Sequence, residues 1–170
     1  MLASKLSSEY KDENKDAAIN VLPFNATLAQ HNLKLVRAAT HTLQINLGFL
    51  CNQVCRHCHL KAGPARKENM SAQTVDAVIS YAARSHFETI DITGGAPELN
   101  SRLPRLIEDI SPLTARIMLR SNLSAMKDKL SDLADLLQHH HVVIVASFPS
   151  VNITQTDSQR GEGIFQESVA

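Results

Sequence analysis

Short apolar runs and amphipathic stretches alternate along the chain. Four runs have strand length and are rich in Ile, Val and Leu: residues 43–47, 89–92, 117–119 and 142–146. The stretches between them repeat apolar residues at helical i, i+3, i+4, i+7 steps, over residues 75–82, 103–113 and 130–137. Strands that alternate with helices are parallel and are joined by helical crossovers. The pattern therefore predicts an α/β fold with a parallel sheet covered by helices.

The connection between the first two strands is longer than one helical crossover requires. The two later connections match a strand–helix unit of roughly 30 residues, whereas the first contains a surplus. This surplus follows the first strand directly and holds the cysteines at 51, 55 and 58, with an extension through residues 61–65. Chemistry in parallel α/β sheets gathers at the carboxyl ends of strands. We therefore expect the functional site at this edge of the sheet.

The ends of the chain carry weaker patterns. Residues 1–20 are rich in Ser, Lys, Asp, Glu and Asn, which predicts a mobile polar tail before one domain over residues 21–170. Residues 25–39 have loosely helical spacing, and a further helix is expected to begin at Ile164 or Phe165. Ser71 and Ser124 are expected to cap the first and third amphipathic helices.

Composition and charge exclude several classes of partner. The 170 residues include 17 Lys and Arg against 17 Asp and Glu, so no positive field favours nucleic acid or an anionic membrane surface. Neither a secretory leader nor a run of roughly 18 to 20 apolar residues occurs, which predicts no membrane span. We therefore expect a cytoplasmic protein that binds neither nucleic acid nor a membrane.

All three cysteines lie within eight residues, at Cys51, Cys55 and Cys58. An odd number on one loop is atypical of a disulfide framework. Three thiolates spaced C-x3-C-x2-C can ligate three irons of a cubane iron–sulfur cluster and leave the fourth iron open.

A structural zinc site is the alternative to the iron–sulfur cluster. The three cysteines with one of His41, His57 or His59 would make a Cys3His tetrahedron, and thiolates suit both metals. The pattern of the cysteine loop alone leaves the two sites open.

Polar or glycine-rich residues follow the other three strands as well. The second strand runs into Gly94-Gly95, which lets backbone groups approach a ligand, although paired glycines are also ordinary turn residues. Ser121, Asn122 and Ser147 follow the third and fourth strands and can bond ribose hydroxyls or an amino acid head group, or form turns. Further along, Arg160 is either an anion-binding side chain or a solvated loop arginine.

Five segments closely resemble the motifs of one enzyme family. They are Leu43-Gln44-Ile45-Asn46-Leu47-Gly48, the cysteine segment 51–59 with Ala62-Gly63-Pro64, Asp91-Ile92-Thr93-Gly94-Gly95-Ala96-Pro97-Glu98-Leu99, Arg120-Ser121-Asn122-Leu123, and Thr156-Asp157-x2-Arg160-Gly161-x-Gly163. The cysteine loop with the glycine pair resembles the radical S-adenosylmethionine enzymes. The amino-acid sequences of all five segments are similar to those of one family of these enzymes, the arsenosugar-biosynthesis family. The resemblance covers residues 25–170.

The resemblance implies a role for each motif in binding cofactors. Cys51, Cys55 and Cys58 would bind a [4Fe–4S] cluster whose open iron chelates the amino and carboxylate groups of S-adenosylmethionine. The methionine part would lie against Gly94, Gly95 and Ala96.

The remaining motif residues would complete the cofactor site. Glu98 corresponds to the acidic residue of a shorter Gly-Gly-Glu motif. In this chain Ala96 and Pro97 stand between the two glycines and Glu98. Ser121 and Asn122 would lie near the ribose, and Ser147 would reach cofactor or substrate. His57 would shield the cluster or stack near adenine.

The family's activity sets the functional expectation. It implies that an external one-electron reductant supports cleavage of S-adenosylmethionine to a 5′-deoxyadenosyl radical, with transfer of the adenosyl group to a methylated arsenical. Family members build a six-stranded partial barrel, and about four strands are visible here, so we expect an incomplete core of marginal stability with an exposed fourth strand. Such a chain would be an incomplete catalyst that needs a complementing C-terminal fragment. The alternative is a noncatalytic iron–sulfur or zinc-binding fragment.

Overall fold

The structure is a computed structural model that describes residues 21–170, apart from the side chains of residues 127–131. The predicted polar tail, residues 1–20, lies outside this range. Contacts divide the chain into two units, with the boundary between Ala38 and Ala39.

The described part of the first unit, residues 21–38, contains one short helix, α1, over Phe24–Gln30. It ends in a Schellman motif, in which Leu33 N donates to Leu28 O at 2.8 Å and Asn32 N donates to Ala29 O at 3.1 Å. Asn32 has a φ of 53°, a left-handed conformation that asparagine tolerates better than most residues. The helical pattern expected over residues 25–39 is therefore wrong beyond Gln30, and Leu33, Leu35 and Val36 are exposed.

The second unit is built on a four-stranded parallel sheet. Its strands are β1 Thr42–Asn46, β2 Thr89–Thr93, β3 Arg116–Ser121 and β4 Val143–Ala146, in the order β1-β2-β3-β4. Each strand pairs in parallel with its neighbour in sequence. The predicted α/β fold with four parallel strands is confirmed, and each strand lies within two residues of its predicted bounds.

Helices pack on one face of this sheet because alternate strand residues point to that face. The helices are α2 Ala72–Ser85, α3 Leu103–Ile110 and α4 Leu130–His139. The core contains Ile45, Ile90, Ile92 and Leu119 from the strands, with Val75, Leu106, Ile107, Ile110, Leu133 and Leu137 from the helices. All three amphipathic patterns therefore form helices that cover the sheet, as predicted.

The helix ends agree with the sequence in part. Ser71 caps α2 as expected, since its hydroxyl accepts a hydrogen bond from Thr74 N at 3.2 Å. Ser124 instead opens a 3₁₀ helix, Ser124–Lys129, before α4, and its hydroxyl bonds other side chains. Helix α6, Ile164–Val169, begins where predicted. Helix α5, Ile153–Arg160, has few apolar residues and carries no apolar periodicity that would predict it.

The opposite face of the sheet carries a row of polar side chains across three strands. Asp91 on β2 is 5% exposed and accepts hydrogen bonds from Arg120 Nε at 2.9 Å and Nη2 at 2.8 Å. Gln44 on β1 donates to the same carboxylate at 2.9 Å. The hydrogen bonds from Arg120, and to a smaller extent that from Gln44, hold the pKa of Asp91 below its usual range despite burial.

This lowered pKa predicts acid sensitivity. The stability contributed by Asp91 is present above the carboxyl's ordinary pKa of about 3.9 and is lost as pH falls through the lower folded-state value. We expect Asp91→Asn to lower the free energy of unfolding at pH 7 by about 1 to 2 kcal/mol, because Arg120 stays 45% exposed and water screens the pair. Urea unfolding from pH 7 to pH 2.5 should show this difference shrinking.

Asp76→Asn is the matched control, because Asp76 and its partner Arg105 are each more than half exposed. We expect little change at any pH. Hydrogen bonds from Arg66 lower the pKa of Glu68 to about 2, so Glu68 also begins to titrate at the acid end of this range. Because Glu68 is present in wild type and in both variants, its titration cancels in the comparison. A difference for Asp91→Asn that stayed constant from pH 7 to pH 2.5 would contradict the assignment.

Strand β4 forms one end of the sheet and is poorly covered. Val143 is 47% exposed and Ile144 is 41% exposed. Exposed apolar edge strands favour association with other chains, so the expectation of marginal stability stays a prediction. Across residues 21–170, no helix is long and apolar enough to cross a membrane.

Candidate functional site

The cysteine loop follows β1 and folds back on itself through backbone hydrogen bonds. Cys51 N donates to Gly63 O at 3.2 Å, and Gly63 N donates to Phe49 O at 3.1 Å. Met70 N closes the base of the loop by donating to Leu47 O at 2.8 Å. The loop is therefore held at the carboxyl end of β1, as its sequence position predicts.

The glycine pair after β2 packs directly against this loop. Gly95 N donates to Gly48 O at 2.9 Å, and Ala96 N donates to Leu50 O at 2.8 Å. Gly94 has a φ of 147°, and a Cβ built on Gly95 would overlap the carbonyl oxygen of Leu50. Close approach between the two loops thus requires glycine here, whereas the sequence suggested only close approach to a ligand.

Gly95→Ala should therefore destabilise the fold. The new methyl group meets a backbone carbonyl that is held by its own hydrogen bond, so the loops must separate, and we expect a loss of about 1 to 3 kcal/mol in the free energy of unfolding. Gly63→Ala is the control, since its Cβ would lie 3.6 Å from Val54 Cγ2, an ordinary contact. Equal unfolding midpoints for the two variants in urea would contradict this reading.

The ends of all four strands meet around one cavity of about 250 Å³. Seven of the residues that the family resemblance assigns to the cofactors line it: Cys51, Cys55, His57, Cys58, Gly95, Asn122 and Ser147. Gln53, His59, Ala62 and Arg160 complete the lining. The three cysteines and Gly95 therefore line a common space.

The thiols are partly withdrawn from water and receive backbone hydrogen bonds. Cys51 is 6% exposed, and its Sγ accepts from Gln53 N at 3.4 Å. Cys58 Sγ accepts from Ala62 N at 3.4 Å. Burial raises the pKa of the Cys51 and Cys55 thiols, and the neighbouring cysteines add to it. A bound metal would reverse this effect, because a coordinating thiol loses its proton outright.

Four other predicted residues form the walls behind this cavity. Ala96 is 3% exposed and packs in a small cluster with Cys51. Glu98 is 2% exposed and is close enough to Cys51 to contribute to the raised pKa of its thiol. Ser121 is buried and accepts a hydrogen bond from Leu123 N at 2.9 Å, which makes it a turn former. Gly94 lies against Gly48, so these residues do not line the cavity themselves.

Asn122 lines the cavity but its carboxamide is already engaged. Its Nδ2 donates to Asn52 Oδ1 at 2.8 Å and lies 3.6 Å from Cys51 Sγ. Its Oδ1 accepts from Ala125 N at 3.0 Å. Asn122 therefore connects the end of β3 to the cysteine loop, and its expected contact with ribose stays a prediction.

Arg160 is the functional candidate that the sequence left undecided. It ends α5, is only 6% exposed, and lines both the cysteine cavity and an adjoining cavity of about 340 Å³. Its Nη1 donates to Asn122 O at 3.4 Å, while its buried Nε donates no hydrogen bond. Burial lowers the pKa of Arg160, and the nearby Cys55 and Cys51 oppose that effect. A buried guanidinium with an unused donor favours an anionic ligand.

His57 and Ser147 join Arg160 in lining both cavities. Helix α5 is tied to the cysteine loop by a hydrogen bond from Arg56 N to Gln159 O at 2.9 Å. In the sequence, Arg160 is a single arginine near the end of a polar segment. That pattern does not indicate that its side chain is buried.

The arrangement fits an iron–sulfur cluster better than a single zinc ion. Among the side chains that the structure describes, no three His, Cys, Asp or Glu are grouped so that they could hold one metal ion. A cubane offers three separate irons, so its thiolate ligands stand further apart than the ligands of one ion. Three thiols around one cavity beside a buried cation suit such a cluster.

Comparison with known proteins identifies the family. The family model described as "Radical SAM superfamily" matches residues 45–151. The chain belongs to the Radical SAM superfamily. Its cofactors are therefore a [4Fe–4S] cluster and S-adenosylmethionine.

Several Radical SAM relatives and structures are similar to this chain. The "Probable GTP 3′,8-cyclase" of Sulfolobus acidocaldarius is 26% identical over 120 residues, which are 65% of this chain and 38% of the relative. The "Putative peptide biosynthesis protein YydG" of Bacillus subtilis (strain 168) is 32% identical over 83 residues, covering 48% of this chain and 26% of the relative.

A solved Radical SAM structure has a similar fold. Streptococcus suis SuiB bound to S-adenosylmethionine superposes with a TM-score of 0.63 at 18% identity, over 82% of this chain and 31% of SuiB. This chain thus spans between 26% and 38% of the length of these three proteins.

Proposed function

We propose that Cys51, Cys55 and Cys58 each ligate one iron of the [4Fe–4S] cluster of a radical S-adenosylmethionine enzyme. The single observation that carries this proposal is the cavity that the three cysteines share with Gly95 and Arg160. These three cysteines would hold the cluster, which would supply the electron for cleavage of S-adenosylmethionine to methionine and a 5′-deoxyadenosyl radical. The chain's own task is to hold the cofactor and keep water away from it.

Arg160 is proposed to bind the carboxylate of S-adenosylmethionine. Its guanidinium is buried, faces Cys55 and Cys51, and has an unused donor at Nε. A charge-assisted pair with a carboxylate would satisfy this donor. The backbone of the turn at Gly94, Gly95 and Ala96 would then pack along the methionine chain.

His57 and Ser147 are proposed to contact the adenosine part. Both line the adjoining cavity as well as the cysteine cavity, so a ligand extending from one to the other passes between them. Glu98 and Ser121 are proposed to support this site from behind, through the glycine turn and the end of β3. Asn122 is proposed to orient Cys51.

The substrate proposed for the complete enzyme is a methylated trivalent arsenical. This assignment of the substrate is supported by the amino-acid sequences of the five motif segments, which are similar to the motifs of the arsenosugar-biosynthesis family. The described fold has four parallel strands, and we propose that the described residues contain an incomplete core that needs further strands to act on the arsenical. The three free cysteines favour a reducing compartment, so we propose a cytoplasmic location and an external one-electron reductant.

Anaerobic reconstitution with iron and sulfide tests the cofactor assignment. We expect about four irons per chain with broad visible absorbance, and release of 5′-deoxyadenosine when a reductant and S-adenosylmethionine are added. The substrate assignment is tested by adding a dimethylated trivalent arsenical to the chain together with a complementing C-terminal fragment, and an adenosylated arsenical is the expected product. One zinc per chain and no uptake of iron would contradict the proposal.

A noncatalytic cluster-binding fragment is the second candidate. The observation that favours it is that the chain spans 26% to 38% of the length of its relatives, with β4 exposed at one end of the sheet. Iron uptake without release of 5′-deoxyadenosine would support this candidate.

A further inference from the structure

Ser124 forms the centre of a hydrogen-bond network behind the cysteines. Its hydroxyl accepts from Gln53 Nε2 at 2.7 Å and from Asn52 Nδ2 at 2.8 Å, and donates to Asn122 Oδ1 at 3.3 Å. A serine hydroxyl has one donor and two acceptor sites, so all of its capacity is used. Ser124, Gln53 and Asn122 are each at most 8% exposed, which removes water as a competing partner.

The network reaches two of the three sulfur atoms. Asn122 Nδ2 lies 3.6 Å from Cys51 Sγ, and Gln53 Oε1 accepts from Cys55 Sγ at 3.3 Å. Asn122 Nδ2 also donates to Asn52 Oδ1 at 2.8 Å, which closes a ring through Ser124. One hydroxyl at the end of β3 therefore braces residues that contact Cys51 and Cys55.

We infer that Ser124 is a positioning residue that presets the Cys51 sulfur atom for the cluster. It acts through Asn122, whose Nδ2 lies against that sulfur, and through Gln53, whose backbone N donates to it. The inference rests on the proposed function of these cysteines. It also explains why Ser124 does not cap α4 as the sequence suggested, since its hydroxyl is committed to the cysteine loop.

The physical reason is that the network is buried and closed. Removal of the hydroxyl leaves the carboxamide donors of Asn52 and Gln53 without their partner, while Asn122 Oδ1 keeps only its bond from Ala125 N. The two donors can recover a bond only by moving, and such movement displaces Asn122 and Gln53 from Cys51. A hydrogen bond from Asn122 to the Cys51 sulfur stabilises the more negative, reduced cluster, so its loss should lower the reduction potential.

The test compares Ser124→Ala with wild type in the full chain, reconstituted anaerobically. We expect iron to pass to a chelator roughly 10- to 100-fold faster, as for other changes behind metal ligands. We also expect a more negative potential and an altered EPR spectrum of the reduced cluster. Ser124→Thr, which keeps the hydroxyl, should restore slow iron loss, while Ser101→Ala makes the same change at an exposed serine and should match wild type.

A second variant keeps the inference testable if Ser124→Ala does not fold. Gln53→Met retains side-chain length without the carboxamide and should speed iron loss in the same way. If the two residues act through one network, the double variant should lose iron about as fast as the faster single variant. If the increase in the rate of iron loss in the double variant equals the product of the two single increases, the two residues act independently and the inference is overturned.

The outcomes separate this inference from the function on which it rests. If wild type takes up no cluster, the proposed function fails and the inference fails with it. If wild type loads about four irons and Ser124→Ala matches it in iron retention, potential and EPR spectrum, the inference alone is wrong. A lower unfolding midpoint of the metal-free variant with an unchanged cluster also contradicts it, because that shows a structural role only.

Discussion

Replacing Cys55 with alanine should abolish assembly of the [4Fe–4S] cluster and, with it, reductive release of 5′-deoxyadenosine. The same result is expected for Cys51→Ala and Cys58→Ala, because three thiolates around one cavity provide every protein ligand of the cluster. We expect iron content after anaerobic reconstitution to fall from about four per chain to background. Iron and sulfide assays with visible absorption measure this loss directly.

His57→Ala and His59→Ala are the controls for the cysteine variants. Both histidines line the same cavity and are candidates for the fourth ligand of a zinc site. They should leave iron uptake intact, because the fourth iron of the cluster is reserved for S-adenosylmethionine. Loss of metal in a histidine variant, with one zinc in wild type, would favour the Cys3His site instead.

Arg160→Met should weaken binding of S-adenosylmethionine by roughly 10- to 100-fold. The change keeps the apolar length of the side chain but removes a charge-assisted hydrogen bond worth about 1.5 to 3 kcal/mol. The fall should appear in equilibrium dialysis with the reconstituted chain. It should be small for decarboxylated S-adenosylmethionine, which lacks the group that Arg160 is proposed to bind.

Arg56→Met supplies the matched control for Arg160→Met. Arg56 lies in the cysteine loop but is exposed, and only its backbone N bonds to helix α5. Its removal should leave both affinities near those of wild type. An equal loss of affinity for S-adenosylmethionine and its decarboxylated analogue in Arg160→Met would show that Arg160 does not read the carboxylate.

Local sequence patterns predicted the sheet and its helices well. Ile90 and Ile92 alternate with Asp91, and the helices carry apolar stripes, so burial on one face follows from periodicity alone. The same reasoning failed for residues 31–39, where apolar residues continue but the backbone turns at Asn32. Apolar periodicity also failed to predict α5, because this helix is mostly polar and has no repeating apolar positions.

The candidate site was predictable only in part. The cysteine spacing and the parallel topology together indicate that Cys51, Cys55 and Cys58 lie near the glycine turn. The roles of Ser124 and Gln53 depend on contacts between residues 71 positions apart, which no local pattern encodes. Whether Ser121 or Asn122 faces the cavity depends on where β3 ends, and a shift of one residue reverses the two faces.

By itself, the sequence determined the order of strands and helices, the edge of the sheet that carries the chemistry, and the three thiols that a metal cofactor requires. These properties follow from periodicity and from ligand chemistry, which neighbouring residues along the chain express. The tertiary structure alone decided that Arg160 is buried with an unused donor, that Gly95 is required by the Leu50 carbonyl, and that Ser124 braces the cysteine loop. Burial and hydrogen-bond partners are set by segments that meet only after the chain has folded.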